Sequence, residues 1–155
     1  MVTAESAFGQ DFLDMIEALI EANVEFLVVG AHALAVHGVP RATGDLDLWV
    51  RPSAANAVRV LEALRAFGAQ VEAHGVTEQH FETVDQVYQI GLPPRRIDLL
   101  TSISGVDFDE AFRARQEVDV GTMKVPFLGR EALVRNKRAS GREKDLLDVR
   151  LLENA

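Results

Sequence analysis

Two aspartates separated by one leucine stand in the segment DLDLWV, at Asp45 and Asp47. The apolar residues around them predict a strand, and because side chains alternate between the faces of a strand, both carboxylates lie on the same face. Two unit charges about 6.5 Å apart repel each other by roughly 2.5 kcal/mol at an effective dielectric near 20. Such a face is therefore either exposed to water or holds a divalent cation between the two groups.

A second segment, RRIDLLT, predicts another strand and offers a third carboxylate, because Arg96 and Asp98 share one of its faces. If this strand lies beside DLDLWV, Asp98 joins the first two aspartates. Three carboxylates in a chain without cysteine form an all-oxygen site, which suits Mg²⁺ or Mn²⁺. The alternative interpretation is a solvated polar face, with Asp98 paired to a neighbouring arginine.

A candidate phosphate site precedes DLDLWV. The segment EFLVVG predicts a buried strand that ends at Gly30, and AHALAVHG predicts a short helix directly after it. A glycine turn lets the backbone approach an oxyanion, and the first turn of a helix presents unpaired N–H groups and a positive dipole. His32 can contact a phosphate there, or it can be a packed, hydrogen-bonded histidine. A phosphate site followed by a metal-binding strand describes a pocket for a nucleoside triphosphate.

The remaining elements predict the fold class. Helices are expected at residues 10–22, at residues 31–38, from the N-cap Ser53 to Gly68, at REALVRNK and after Gly141. Strands are expected at EFLVVG, DLDLWV, near Val71, and at QVYQIG, RRIDLLT, QEVDV and MKVPF. This order predicts a mixed β-sheet flanked by helices, of the α/β or α+β class.

Composition limits the class of protein and its partners. The 155 residues, 48% of them hydrophobic, fit a single domain. The net charge of −8 argues against a general nucleic-acid coat, but residues 135–144 hold five basic residues and one acidic residue, so a polyanion would bind locally. No secretory signal and no membrane-length apolar run is present, and the absence of cysteine fits a reducing compartment. We therefore expect a cytoplasmic protein without a membrane partner.

The segment VVGAHALAVHGVPRATGDLDLWV resembles the core signature of nucleotidyltransferases of the DNA polymerase beta superfamily. Its RxTxDLDL wording is typical of the abortive-infection, type IV toxin members of that superfamily. The segment VPFLGREALVRNKRASGREKDLLDVRLLE is similar to the part of those proteins in which a helix with a lysine precedes an Arg-x-x-Asp element and another acidic residue. Together the two segments cover most of the chain.

The resemblance implies a polymerase beta-like nucleotidyltransferase domain over residues 1–155, with C-terminal helices in residues 129–155 packing on the core. It implies that Asp45 and Asp47 hold two magnesium ions, and that Asp98 binds the ion that activates the acceptor hydroxyl. It also assigns Lys137 to catalysis, with Asp145 or Asp148 orienting the cations. The residues that it places at the nucleotide are Gly30, Ala31, His32, Arg41, Thr43, Arg142 and Asp145.

The function implied is transfer of a nucleoside monophosphate from an NTP to a hydroxyl of RNA, of a protein or of a small molecule, in the presence of Mg²⁺ or Mn²⁺. RNA would bind through residues 135–144, and an antitoxin protein is a further expected partner. The alternative is a catalytically inactive binding or antitoxin-like module. Ala31 favours the alternative, because the superfamily usually has serine or a second glycine there, whereas the three aspartates favour an enzyme.

Overall fold

The computed structural model describes residues 4–92 and 94–155. The helices are α1 (Ala4–Glu21), α2 (Ala31–Val36), α3 (Ala54–Phe67), α4 (Glu78–Glu82), α5 (Phe108–Arg113), α6 (Arg130–Ser140) and α7 (Glu143–Glu153). The strands are β1 (Phe26–Val29), β2 (Asp45–Val50), β3 (Val87–Leu92), β4 (Arg95–Leu100), β5 (Gln116–Val120) and β6 (Met123–Phe127). No helix in the two described ranges is both long and apolar enough to cross a bilayer.

The six strands form one sheet in the order β3-β4-β2-β1-β6-β5. Strand β2 runs antiparallel to β1 and parallel to β4, and β1 runs parallel to β6. The edge strands β3 and β5 pair antiparallel with β4 and β6. The predicted class, a mixed sheet flanked by helices, is confirmed. Strand β2, which carries the Asp-x-Asp pair, lies inside the sheet and has neighbours on both sides.

Alternation along β2 separates the hydrophobic core from the acidic face. Leu46, Leu48 and Val50 are fully buried, whereas Asp45 and Asp47, on the opposite face of the strand, are partly exposed. Strand β1 is buried along its whole length, so other elements cover both faces of the sheet there. The apolar positions of β2 thus anchor the strand, and its acidic positions stay accessible from the other face.

The predicted helix boundaries follow the local chemistry. Ser53 caps α3 by accepting a hydrogen bond from the backbone N–H of Asn56, and Gly68 ends it in the left-handed conformation. Gly9 has φ 73° and interrupts the helical geometry of α1, so the regular helix starts at about the predicted residue 10. In α6 and α7, Leu133 and Leu152 are fully buried.

One predicted strand is wrong. The residues around Val71 form a turn, in which the N–H of Val76 donates to the carbonyl of Val71 over 2.8 Å. Val71 is fully buried although it is not in a strand. Its apolar side chain therefore reflects burial in the core, and it does not indicate an extended backbone. The short helices α4 and α5 were not predicted, because each spans too few residues to show helical periodicity.

Candidate active site

A cleft of about 380 Å³ opens where β1 ends, between β2 and the helices α6 and α7. Carboxylates lie on the sheet side, and the cations come from α6, α7 and the loop before β2. The cleft is lined by every residue that the sequence predicts for the site except His32, Asp98 and Asp148. The predicted residues that line it are Gly30, Ala31, Arg41, Thr43, Asp45, Asp47, Lys137, Arg142 and Asp145.

The three predicted metal ligands lie on adjacent strands. The parallel pairing of β2 with β4 places Asp47 directly opposite Asp98. Burial, followed by the nearby charges of Asp98 and Asp45, raises the pKa of Asp47 from 3.8 to about 6. Thr43 shapes the turn before this cluster, because its hydroxyl accepts a hydrogen bond from the backbone N–H of Asp45 over 3.1 Å. The strand register thus brings three carboxylates together, and the nearby positive groups neutralise only part of their negative charge.

Arg96 neutralises part of the negative charge of this acidic cluster. Its Nε lies 2.9 Å from Oδ1 of Asp98, and its Nη2 lies 3.1 Å from Oδ2 of Asp98 and 3.4 Å from Oδ2 of Asp45. No group of three acidic or histidine side chains among the described residues is arranged to hold a metal ion. The donor set nevertheless fits a hard divalent cation, since it is all oxygen and carries excess negative charge.

Gly30 directly follows β1 and lies against Asp47 of the acidic cluster, which consists of Asp45, Asp47 and Asp98. Its φ of 71° lies in the left-handed region, and a Cβ added there would lie 2.3 Å from Oδ2 of Asp47. Only glycine satisfies both the backbone conformation and this close approach. The first turn of α2 is closed by the N–H of Leu34, which donates to the carbonyl of Gly30. The backbone N–H groups of residues 31–33 come before this first hydrogen bond, so the helix itself provides no acceptor for them.

His32 lies outside the cleft. Its side chain is buried and packs edge-on against Phe12, with the ring centroids 5.9 Å apart. Burial lowers the pKa of His32, so the ring is neutral near pH 7. This arrangement matches the packed alternative that the sequence left open.

Two buried aspartates of α7 hold the cations of the cleft. Nζ of Lys137 lies 3.2 Å from Oδ1 of Asp145 and 3.1 Å from Oδ2 of Asp148. Nε of Arg142 lies 2.7 Å from Asp145, and Arg41 forms an ion pair with Asp148. The Asp145 and Asp148 side chains are only 2% and 1% exposed and that of Lys137 is 12% exposed, so solvent screens the pairs of Lys137 little. Lys137 is therefore fixed in orientation, whereas Arg142 is largely exposed.

Asp145 is ionised over the whole physiological range. Burial by itself raises the pKa of this carboxyl, but hydrogen bonds from Ser140, Arg142 and Lys137 outweigh burial and hold the pKa at about 2. Of Asp145 and Asp148, which the sequence offered as alternatives for orienting the cations, both contact Lys137. Their spacing of three residues in the sequence indicates that both can contact the same cation, because residues three apart lie on one face of a helix.

The basic segment at residues 135–144 is largely paired with acidic groups. Arg135 lies 2.8 Å from Glu110, and Arg138 forms an ion pair with Glu153. Lys144 lines the cleft and forms no ion pair with any residue that the structure describes. The positive charge of the segment that is available to a ligand is thus concentrated at the cleft.

The chain matches no protein-family model, and no curated protein matches its sequence. Among solved structures, it is similar to a crystal structure of a putative nucleotidyltransferase from Thermotoga maritima, with a TM-score of 0.57 and 17% sequence identity. The likeness covers 92% of this chain and 89% of the other. The fold is that of a nucleotidyltransferase. The fold implied by the resemblance in sequence is therefore confirmed.

Proposed function

We propose that the protein is a Mg²⁺- or Mn²⁺-dependent nucleotidyltransferase that moves a nucleoside monophosphate from an NTP to a hydroxyl acceptor. The observation that carries this proposal is the register of β2 and β4, which places Asp98 beside Asp47, a residue of the cleft that also contains Gly30 and Lys137. The nucleotidyltransferase fold supports it.

In this proposal Asp45 and Asp47 would hold two divalent ions, and Asp98 would bind the ion that activates the acceptor hydroxyl. When bound, such ions lower the pKa of the attacking hydroxyl and neutralise charge on the leaving pyrophosphate. The protein contributes rigidity, because the ligands lie on strands inside a sheet and not on loops. Asp98 is only 7% exposed, which excludes bulk water from its side of the cluster.

The triphosphate binds between the turn at Gly30 and the cations of the opposite wall. Gly30 allows close approach of the backbone, and Ala31 offers a backbone N–H. Lys137 and Arg142 neutralise phosphate charge, and Asp145 holds both of them in place. A charged side chain that is already oriented loses little conformational freedom when it binds.

A transfer assay tests the proposed function. The protein is incubated with Mg²⁺ and each labelled NTP in turn, with separate RNA and protein fractions as acceptors. We expect label in one fraction, and we expect Asp98→Asn to reduce transfer at least about a hundredfold, or 2.7 kcal/mol. The matched control is Asp119→Asn, an exposed carboxylate of β5 paired with Lys124, which should transfer as the wild type does. Equal activity of Asp98→Asn and wild type would refute the assignment.

We further propose the abortive-infection, type IV toxin type, with an antitoxin protein as partner. Arg41, of the RxTxDLDL segment, forms an ion pair with Asp148, of the C-terminal segment, which supports a single site built from both parts of the resemblance. In cells, expression should then arrest growth, and Asp98→Asn should relieve the arrest. An arrest that persists in Asp98→Asn, without label transfer by the wild type, would favour the inactive binding module.

Ala31 gives a separate test of the nucleotide pocket. Ala31→Ser should preserve or tighten triphosphate binding, because a hydroxyl at the first position of α2 adds a hydrogen-bond donor to a charged oxygen. Isothermal titration with a nonhydrolysable NTP and Mg²⁺ measures the effect. A loss of more than about tenfold in affinity, or 1.4 kcal/mol, would mean that the triphosphate does not lie against this turn.

If the acceptor is RNA, we propose that Lys144 is the residue of the segment 135–144 that contacts its phosphates. Lys144→Ala should flatten the log-log dependence of RNA affinity on salt by about one unit. The double variant Arg135→Ala/Arg138→Ala removes more charge but should change the slope less, because both guanidinium groups are already paired. A larger effect of the double variant would place the RNA on the outer face of α6. Wild-type protein that binds no RNA would exclude this class of acceptor.

A further inference from the structure

Strand β3 is an edge of the sheet that carries no charge. Its sequence VYQIGL contains no charged residue and no proline, and the side chains of Val87 and Leu92 are 56% and 82% exposed. The strand at the other edge, β5, carries Glu117 and Asp119. Charged side chains on an edge strand hinder its pairing with a further strand. The edge of β3 is therefore open to pairing in a way that the edge of β5 is not.

The backbone of β3 presents hydrogen-bonding groups to this free edge. The N–H of Thr101 donates to the carbonyl of Gln86, directly before β3, over 3.1 Å. Hydrogen-bonded pairs alternate along an antiparallel ladder, so Tyr88 directs its backbone groups to β4, whereas Val87 and Gln89 direct theirs outward. These two residues therefore offer both donors and acceptors to another strand.

A second copy of the same chain is complementary to this edge. In an antiparallel pair, Val87 of each copy lies opposite Gln89 of the other, so the outward groups of the two strands satisfy each other. Glu82 and Asp85 precede β3 and Arg95 follows it, so the acidic end of one strand approaches the basic end of the other. Pairing of β3 with β5 of another copy would instead add copies without closing.

A pocket of about 370 Å³ lies beside the same edge and is lined in part by His74, Phe81 and Tyr88. The rings of Phe81 and Tyr88 meet edge-on, with centroids 6.5 Å apart. In the pairing described above, Tyr88 of the second copy lies directly opposite Tyr88, so its ring packs beside this pocket. We propose that the protein forms a symmetric dimer in which the β3 strands of two copies pair antiparallel and the two sheets become one.

This dimer places both acidic clusters on one face of the shared sheet, because its symmetry axis is perpendicular to the sheet. Five strand spacings of about 4.8 Å separate the β2 strands of the two copies, which is roughly 24 Å. The clefts of both copies then open on the same side. The inference does not depend on the proposed function, since it rests only on the edge strand.

Sedimentation velocity of the full chain over a series of concentrations tests the inference. The wild-type protein should sediment as a dimer. Gln89→Lys should raise the Kd of the dimer at least about tenfold, because the two added charges lie diagonally across the paired strands on one face. The matched control is Gln116→Lys, which makes the same change at an exposed residue of the other edge strand and should dimerise as the wild type does.

Tyr88 gives a readout that needs no variant, because it is the only tyrosine of the chain. Photo-oxidation couples tyrosine rings that lie in contact, so a dityrosine product can form only between copies. We expect this product from the folded wild-type protein and much less of it from Gln89→Lys. Wild-type protein that stays monomeric would overturn the inference and leave the edge to a different protein. A dimer without dityrosine, or one that Gln89→Lys weakens no more than Gln116→Lys does, would overturn it as well.

Discussion

Asp47→Asn is expected to unfold at a higher temperature than the wild-type protein when no ligand is present at pH 7. Burial and the charges of Asp98 and Asp45 raise the pKa of Asp47 to about 6. Because the folded protein binds this proton more tightly than the unfolded chain does, ionisation of Asp47 lowers stability as pH rises from about 4 to about 6. Above that range the loss is complete, at most about 3 kcal/mol, and the neutral amide removes it.

The same substitution is expected to abolish stabilisation by Mg²⁺ with a nonhydrolysable NTP. A ligand at a hundred times its Kd stabilises the folded state by about 2.7 kcal/mol. An uncharged amide is a much weaker partner for Mg²⁺ than a carboxylate, so Asp47→Asn should lose this gain. Thermal melts at pH 4 and pH 7, with and without ligand, measure both effects, and the ligand-free proteins should differ less at pH 4.

Asp119→Asn is the control for these melts, because it removes an equally charged but exposed carboxylate. It should keep the ligand stabilisation of the wild type and change the ligand-free melting temperature little. Ligand stabilisation of wild-type size in Asp47→Asn would contradict the metal assignment. A ligand-free melting temperature well below that of the wild type would show that the acidic cluster is not under electrostatic strain.

Asp148→Asn is expected to have the largest cost in stability of the changes considered. Its side chain is 1% exposed and pairs with both Arg41 and Lys137. The amide leaves Lys137, which is itself only 12% exposed, with one anionic partner fewer. Removing one member of a buried ion pair typically costs about 3–5 kcal/mol, since an uncompensated charge stays buried. Urea unfolding measures the loss.

A surface pair provides the comparison for Asp148→Asn. Glu153→Gln breaks the ion pair with Arg138, whose members are both more than half exposed, and should cost less than about 1 kcal/mol. The double variant Arg41→Gln/Asp148→Asn should recover part of the loss, because it removes a cation along with the anion. Equal losses for Glu153→Gln and Asp148→Asn would mean that the cations of the cleft are held by other contacts.

The strands DLDLWV and RRIDLLT could be predicted from the sequence because polar and apolar residues alternate over their central positions, from Asp45 to Leu48 and from Arg96 to Leu99. The turn around Val71 could not, since a single buried valine carries no period. For the site, the resemblance implied most of the residues that lie in the cleft, and the sequence also offered a pair between Asp98 and a neighbouring arginine, which the structure shows with Arg96. The pair of Arg41 with Asp148 could not be predicted, because it depends on packing between distant segments.

The parallel pairing of Val28 with Phe127 joins β6, and with it α6 and Lys137, to the strands that carry the acidic cluster. Because a single residue pair joins the two strands, we expect local opening at this junction, which would separate Lys137 from the carboxylates of the sheet without unfolding β2. Amide exchange at Leu128, whose N–H donates to the carbonyl of Val28 over 2.9 Å, reports on this opening.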